Sequence, residues 1–388
     1  MRILIDSSQI PVARTGVGVY AEHLIREIAA LLRPEDMLFV LVQDDDELLL
    51  HDIAAQPNVR AIRLRSHFFR SRLLLAFYEQ IFLPWVLLYC RIDLIHSLHY
   101  TFPFLCPCSR IVTLHDMTFF LWPQMHTRAR RIVMPFFIKM ALRHAEAILF
   151  VSKATRKDAE ALFGKGVNLR FVTPLGVDRA YFNRPPDETI ASTLSLLKIQ
   201  KPYVLFLGTL EPRKNVIRLV EAFEHVGQQY HSHTLVIAGG LGWHFEAALQ
   251  FIENSSMKAR IHRLGYVSKQ HKHELLAGCD LLAYPSLYEG FGLPVLEGMA
   301  AGVPVVTSNV SSLPEVVGDA AATVDPSSKE QISNALELVL SDKIYGDWLR
   351  KAGKARAREF TWERTARMTY AAYLKTLGST EALESTLE

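Results

Sequence analysis

Cysteine is scarce in this chain: Cys90, Cys106, Cys108 and Cys279 are all it holds. The Cys-Pro-Cys of 106–108 has the spacing of neither a zinc knuckle nor a redox pair, and no second pair answers it. A cysteine metal centre is therefore not expected, and scattered thiols suit a reducing cytosol. A surplus of charge is also missing. Lys and Arg number 43 against 40 Asp and Glu, a net charge of +3, which argues against a general nucleic-acid binder. Long apolar runs are lacking too. The best, Phe68–Cys90, is interrupted by Arg70, Arg72, Glu79, Gln80 and Pro84, and its clean part, Ile81–Tyr89, is far too short to span a bilayer. A buried or interfacial helix is expected there. The opening "MRILIDSSQI" is strand-like and then polar, so no signal peptide is expected.

What the chain does have is alternation. In the first half, Arg2–Asp6, Met37–Val42, Val59–Leu64, Leu94–Ser97, Ile111–His115 and Ala147–Ser152 read as strands. Gly16–Leu32, Ser71–Tyr89 and Thr127–Ala145 read as helices between them. The pattern weakens over Asp178–Pro202, where paired prolines and polar residues predict a linker. It restarts with strands at Tyr203–Leu210, Thr234–Ala238, Ala259–Leu264, Asp280–Pro285, Val303–Thr307 and Ala321–Val324. The expectation is an α/β protein with two doubly wound, Rossmann-like domains, 1–180 and 181–360, facing across a cleft. Helices continue through Leu374, and a polar, frayed tail follows.

Ligands of open α/β sheets lie beyond the carboxyl ends of the strands. Five stretches there carry chemistry. Gly16 and Gly18 follow the first strand and open a helix, where glycine amides can approach a phosphate; a plain helix-entry loop reads equally well. His115, with Asp116, ends an apolar strand, placed to donate to a substrate hydroxyl or relay a proton, or to be a structural histidine. Gly208 ends a strand, and Arg213 and Lys214 precede a helix near Asn215, a pairing suited to a diphosphate. Tyr266 and Val267 sit in a turn that could border a base. Finally, "YEGFGLPVLE" carries Glu289 in a loop and Glu297, which is expected in the first turn of a helix starting near Leu293–Pro294. The bland reading makes both glutamates helix caps. It leaves the two intervening glycines unexplained.

The Glu289-x7-Glu297 segment, preceded by "GTLEPRKN" and followed by "SSLPEVVGDAA", resembles the retaining glycosyltransferases of family 4, with the GT-B fold. The glycine loop, His115 and the closing "FTWERTA" fall in the same order, so the resemblance runs through nearly the whole chain. It implies a first domain that binds the acceptor, a second that binds a nucleotide sugar, and a crossover helix and tail, 361–388, packing back on the first domain. Gly16 and Gly18 would near the donor diphosphate and the acceptor. His115 would bond the donor sugar, and Arg213 and Lys214 would hold the diphosphate. Glu289 would contact the transferred sugar, with the amides of Phe291, Gly292 and Leu293 along sugar and phosphate. Glu297 would bind the ribose, with Tyr266 and Val267 at the base.

No Asp-x-Asp sits at a predicted strand end, since Asp44–Asp46 falls in a loop, so transfer is expected without metal or cofactor. The N-terminal style, "IDSSQI…TGVGVY" and "LHDMTFFLWPQMH", resembles bacterial mannosyl- and deoxyhexosyl-transferases of O-antigen and other surface polysaccharides. That implies a GDP-sugar ahead of a UDP-sugar, and an acceptor that is a saccharide or an undecaprenyl-diphosphate-linked saccharide. An epimerase or phosphorylase on the same fold is the alternative. The segment 128–143 has five basic and no acidic residues, which predicts contact with the inner face of the cytoplasmic membrane for an otherwise cytoplasmic protein.

Overall fold

The computed structural model describes residues 1–378 apart from Pro11, Ala13 and Arg70. The expected polar tail therefore lies, from Ser379 onward, outside the described residues. The chain divides into two compact units. Unit 1 comprises Met1–Leu121, Arg128–Gly176 and the segment from Trp362 onward. Unit 2 comprises Trp122–Thr127 and Val177–Thr361.

Unit 1 is built on seven parallel strands: β1 (Arg2–Asp6), β2 (Met37–Gln43), β3 (Val59–Leu64), β4 (Leu94–Ser97), β5 (Ser109–Leu114), β6 (Ala147–Phe150) and β7 (Leu169–Val172). Their order is β3-β2-β1-β4-β5-β6-β7, so the winding reverses between β1 and β4. The buried runs Ile3–Ile5 and Leu38–Val42 suit strands covered on both faces. Strand β7 escapes the sequence pattern because it is an edge strand, half-exposed along its length and carrying Arg170.

Helix α1 (Gly16–Leu31) packs on the helix Trp362–Thr376, which returns the chain to unit 1. His23 stacks on Trp362 at 4.8 Å with the ring planes 2° apart. Deeper in, Tyr373 Oη lies 2.6 Å from His96 Nδ1, His96 Nε2 2.8 Å from Thr113 Oγ1, and Thr113 Oγ1 3.1 Å from Tyr20 Oη. All four are fully buried, so this chain of bonds fixes the returning helix with no polar group left unsatisfied along it.

The helix expected over Ser71–Tyr89 runs without a gap from Arg72 to Tyr89, as α2 (Arg72–Phe77), a π turn (Tyr78–Phe82) and α3 (Leu83–Tyr89). Of the buried and interfacial readings of this segment, the exposure of its apolar residues fits the interfacial one. Leu75, Leu83 and Leu87 are core, but Leu73, Phe77, Ile81, Trp85 and Tyr89 are exposed. Helix α4 (Arg128–His144) matches the helix expected over Thr127–Ala145 to within a residue at each end.

Unit 2 has six parallel strands: β8 (Tyr203–Leu207), β9 (Thr234–Ala238), β10 (Ile261–Gly265), β11 (Leu281–Tyr284), β12 (Val305–Ser308) and β13 (Ala322–Val324). The order is β10-β9-β8-β11-β12-β13, with its reversal between β8 and β11. The linker expected over 178–202 is instead structured. Arg179–Phe182 forms a 3-10 turn, and α5 (Asp187–Leu196) buries Ile190 and Leu194 in unit 2. Asp187 and Glu188 in its first turn suit the helix dipole and disguise it as a polar spacer. Three more helices place functional side chains: α6 (Val216–Val226), α7 (Lys269–Gly278) and α8 (Leu293–Ala300).

Candidate active site

The carboxyl ends of β8 and β11 flank the winding reversal of unit 2, where an open sheet leaves a crevice. Gly208 follows β8. A Cβ on the neighbouring Gly239 would lie 1.9 Å from the Gly208 carbonyl oxygen, so only glycine permits this approach of two loops. Pro212 then starts a 3-10 turn, Pro212–Lys214, that carries both cations. The turn ends at Asn215, in the left-handed conformation at φ 59°. Its side-chain Nδ2 donates to the carbonyls of Pro285 and Pro326 at 2.9 and 2.7 Å. Such strain persists where the surroundings over-determine it.

Glu289 is the hub. It accepts from Arg213 Nη1 at 2.6 Å, Lys214 Nζ at 2.7 Å and Tyr284 Oη at 3.0 Å. Lys214 Nζ also bonds Tyr284 Oη, and Arg213 reaches Glu211 at 2.6 Å and the Tyr288 carbonyl at 2.8 Å. Lys214, Glu211 and Glu289 are all buried. Burial alone would push the Glu289 carboxyl up, but Arg213 and Lys214 outweigh it and bring it down to about 2. Burial, then repulsion from Arg213, lowers Lys214, with Glu289 and Glu211 opposing. Burial raises Tyr284, and the Glu289 charge raises it further. Two cations and two carboxylates therefore share one desolvated cluster.

From Glu289 the chain enters α8. Ser311 Oγ accepts from the Glu289 amide at 3.0 Å, and Ser312 Oγ donates to the carbonyls of Glu289 and Phe291 at 3.0 and 2.8 Å. Gly292 caps the helix at φ 112°, where a Cβ would meet Leu313 Cδ2 at 2.7 Å. The amides of Phe291, Gly292 and Leu293 find no partner among the described residues. These are the donors that a helix leaves unsatisfied at its start.

Glu297 departs from expectation. It is the fifth residue of α8, in the second turn, where helix amides are already paired. Its carboxylate instead pairs with Lys272 of α7 at 2.5 Å, and the Lys272 ammonium lies 5.4 Å from the centre of the Tyr181 ring. The hydrogen-bonded partners gather the site residues into two groups: Arg213, Lys214 and Glu289 in one, and Glu297 with Lys272 and Tyr181 in the other. Tyr266 is exposed beyond β10, with Val267 beside it, and neither joins these groups. The sequence reading missed Tyr284, Lys272 and Tyr181. "HKHELL" gave no sign of Lys272, because its role appears only once α7 packs beside α8.

Unit 1 holds the remaining candidates. Gly16 begins α1 with open space around it, whereas a Cβ on Gly18 would meet the Arg14 side chain at 3.2 Å. His115 donates from Nε2 to the Leu98 carbonyl at 2.8 Å. Burial lowers its pKa, so the ring is neutral, and with Nε2 protonated it presents Nδ1 as an acceptor. The expected donation to a substrate hydroxyl is therefore not available from Nε2. At the reversal between β1 and β4 lies a cluster that the sequence did not reveal. Asp6 Oδ2 faces His99 Nε2 at 3.3 Å. Glu79, turned inward by the π turn, accepts from Thr101 Oγ1 at 2.6 Å and Gln9 Nε2 at 3.3 Å. Burial opposes both charges of the first pair, yet their mutual attraction lowers Asp6 and raises His99. Burial pushes Glu79 up to about 7. Asp6, Glu79 and His99 could jointly offer ligand atoms to a cation: Asp6 Oδ1, Glu79 Oε2 and His99 Nδ1 are hydrogen-bonded to neighbours, whereas among the described residues Asp6 Oδ2 and His99 Nε2 face only each other.

Residues 14–181 match the model described as Glycosyltransferase Family 4, and residues 194–359 match Glycosyl transferases group 1. The chain is 30% identical over 381 residues to O-antigen chain mannosyltransferase B of Escherichia coli, covering 96% of this chain and 99% of that one. Among solved structures, it superposes on sucrose-phosphate synthase of Thermosynechococcus elongatus with TM-score 0.77 at 20% identity, covering 97% and 99% of the two chains. It superposes on Anabaena Alr3699/HepE, solved with UDP and glucose, with TM-score 0.73 at 19% identity, covering 97% and 100%.

Proposed function

The chain belongs to glycosyltransferase family 4, with the GT-B fold, and from that premise we propose that it moves a hexose from a GDP-sugar to a saccharide acceptor. The sugar is mannose or a deoxyhexose such as rhamnose. The acceptor, free or linked to undecaprenyl diphosphate, belongs to surface polysaccharide synthesis at the inner face of the cytoplasmic membrane. The mannosyltransferase relative supports the sugar and the O-antigen setting.

The observation that carries the reading is the pairing of Arg213 and Lys214 with Glu289, just before the chain reaches the unpaired amides that open α8. Cleavage of an anomeric bond leaves negative charge on the departing nucleoside diphosphate. Two fixed cations and a helix N-terminus would stabilise that charge without reorganising as it forms. These groups supply what a divalent ion supplies elsewhere, so the proposed transfer is metal-independent. Glu289, held at about 2, is ionised at neutral pH and cannot act as a general acid. It would hold the cations in place and lie against the transferred sugar. Attack from the leaving-group face retains configuration, and the phosphate takes the acceptor's proton. A covalent link to Glu289 is the alternative route to retention. Glu297, with Lys272, would bind the ribose.

A thermal-shift panel of GDP, UDP and ADP tests this reading. GDP should raise the melting temperature most. A shift with none of the three would sink it. A UDP-sugar donor is the second reading, favoured by the UDP in the Anabaena structure, and a UDP-selective shift would establish it.

A further inference from the structure

Unit 1 leaves an apolar surface uncovered along α2, the π turn and α3. Leu73 is 84% exposed, Trp85 70% and Tyr89 90%, with Phe77 and Ile81 about half exposed. On the opposite side Leu75, Leu83 and Leu87 are core. A surface helix ordinarily turns a polar face outward. This one is apolar on both faces.

The exposed residues 73, 77, 81, 85 and 89 recur at every fourth position. On an α-helix of 3.6 residues per turn, such a stripe drifts around the axis. The wider π turn at Tyr78–Phe82 removes part of that drift. One local irregularity thus turns Glu79 inward and keeps the apolar stripe on one face.

The surface continues onto α4. Gln80, in the same turn, donates to the Phe102 carbonyl and accepts from the Phe104 amide, both at 3.0 Å. The Phe104 ring stacks on Phe137 at 5.7 Å and meets Phe136 edge-on at 6.0 Å. Leu105 and, on α4, Ile132 extend it outward, 79% and 75% exposed.

The charge around this face is mostly basic, with Asp44 at the Ser66 amide and exposed Asp93 as the acidic neighbours. From Val59 to Ile92 the sequence holds six arginines and one acidic residue, Glu79, which is buried. Arg60, Arg63, Arg65 and Arg91 are exposed. Helix α4 adds basic residues and no acidic one. Apolar side chains, a Trp and a Tyr among them, with exposed arginines in the same segment, match an interface whose headgroups are anionic and whose interior is hydrocarbon. No helix among the described residues is long and apolar enough to cross a membrane, so such contact would lie in the interface plane.

We propose that the face formed by α2, the π turn, α3 and the exposed side of α4 docks on an anionic lipid surface. This deepens the reading of a lipid-linked acceptor and rests on it for its purpose, while its test needs no transfer. The full chain is sedimented with phosphatidylcholine vesicles, with and without phosphatidylglycerol. Binding should be at least about tenfold stronger with the anionic lipid, and should weaken as salt rises. The double variant Leu73→Gln, Trp85→Gln should lose about tenfold or more of it. Both sites are exposed, so its melting temperature and its nucleotide-induced shift should match the parent. No preference for anionic vesicles, or equal binding by the variant, overturns the proposal. So does a dimer in vesicle-free solution that the variant abolishes, which would make a second copy the occupant. A nucleotide shift without vesicle binding sinks only this inference. Vesicle binding without a nucleotide shift sinks only the transferase reading.

Discussion

Lys214 and Glu289 meet at 2.7 Å, both buried, one in the turn before α6 and the other in the loop before α8. The pair ties the loop that carries Glu211, Arg213 and Lys214 to the loop that carries Glu289. Breaking it should therefore affect chemistry and stability separately. Lys214→Ala should lower the turnover of sugar transfer by roughly 10²- to 10³-fold, as loss of one preorganised charge partner does. The fold should survive, because Arg213 still neutralises Glu289. Near-parental turnover in a folded variant would refute the role.

Glu289→Gln leaves the buried Lys214 and the partly buried Arg213 facing a neutral amide. It should cost about 3–5 kcal/mol at neutral pH, read from denaturant melts. The sign with pH follows from a folded pKa of about 2 against an ordinary 4.5. This carboxylate stabilises the fold above about pH 4.5, and the contribution is lost as pH falls toward 2. The deficit of the variant should shrink over that window. A deficit unchanged between pH 7 and pH 3 would contradict it.

Glu79 runs the other way. Its folded pKa, about 7, lies above the ordinary 4.5, so the folded state holds a proton that the unfolded chain has lost. Between about pH 4.5 and 7 its contribution to stability declines as pH rises, by a few kcal/mol at most. Glu79→Gln should remove that part of the slope. Parallel stability–pH curves for parent and variant would exclude it.

Loss of Lys272 frees Glu297 from its partner in unit 2. Lys272→Ala should raise the donor KM about tenfold with a smaller change in kcat, the mark of ground-state binding. Initial rates over a range of donor concentration decide it. A fall confined to kcat would place the pair in the reaction itself.

Gly292→Ala forces a side chain into φ 112° and against Leu313. About 1–3 kcal/mol should be lost, together with affinity for the nucleotide, since the same residue aims the amides opening α8. A melting temperature and a thermal shift both unchanged would show that the cap tolerates a side chain.

Much of the architecture was legible because a parallel sheet buried on both faces writes itself as short apolar runs. Strand β7 and α5 were not. One is a half-exposed edge, and the other opens with prolines and acids that read as a spacer. In the site, Arg213, Lys214 and Glu289 could be named from the sequence, but their direct pairing could not. That contact depends on how the turn after β8 packs against the loop after β11. Glu297 was placed one turn too early, because a start at Leu293 leaves it just beyond the first turn. Asp6, Glu79 and His99 were invisible for a further reason: a π turn has no reliable signature in residue spacing.

The stack of His23 on Trp362 also has a meaning in time. During synthesis, the first sheet leaves the ribosome well before the helix that covers it. All of Val177–Thr361 must be made in between, which takes on the order of ten seconds or more. Throughout that interval His23, His96 and Tyr20 lack Trp362 and Tyr373. The first unit to be synthesised is thus the last to be completed, and a chain cut short anywhere before Trp362 leaves that seam uncovered.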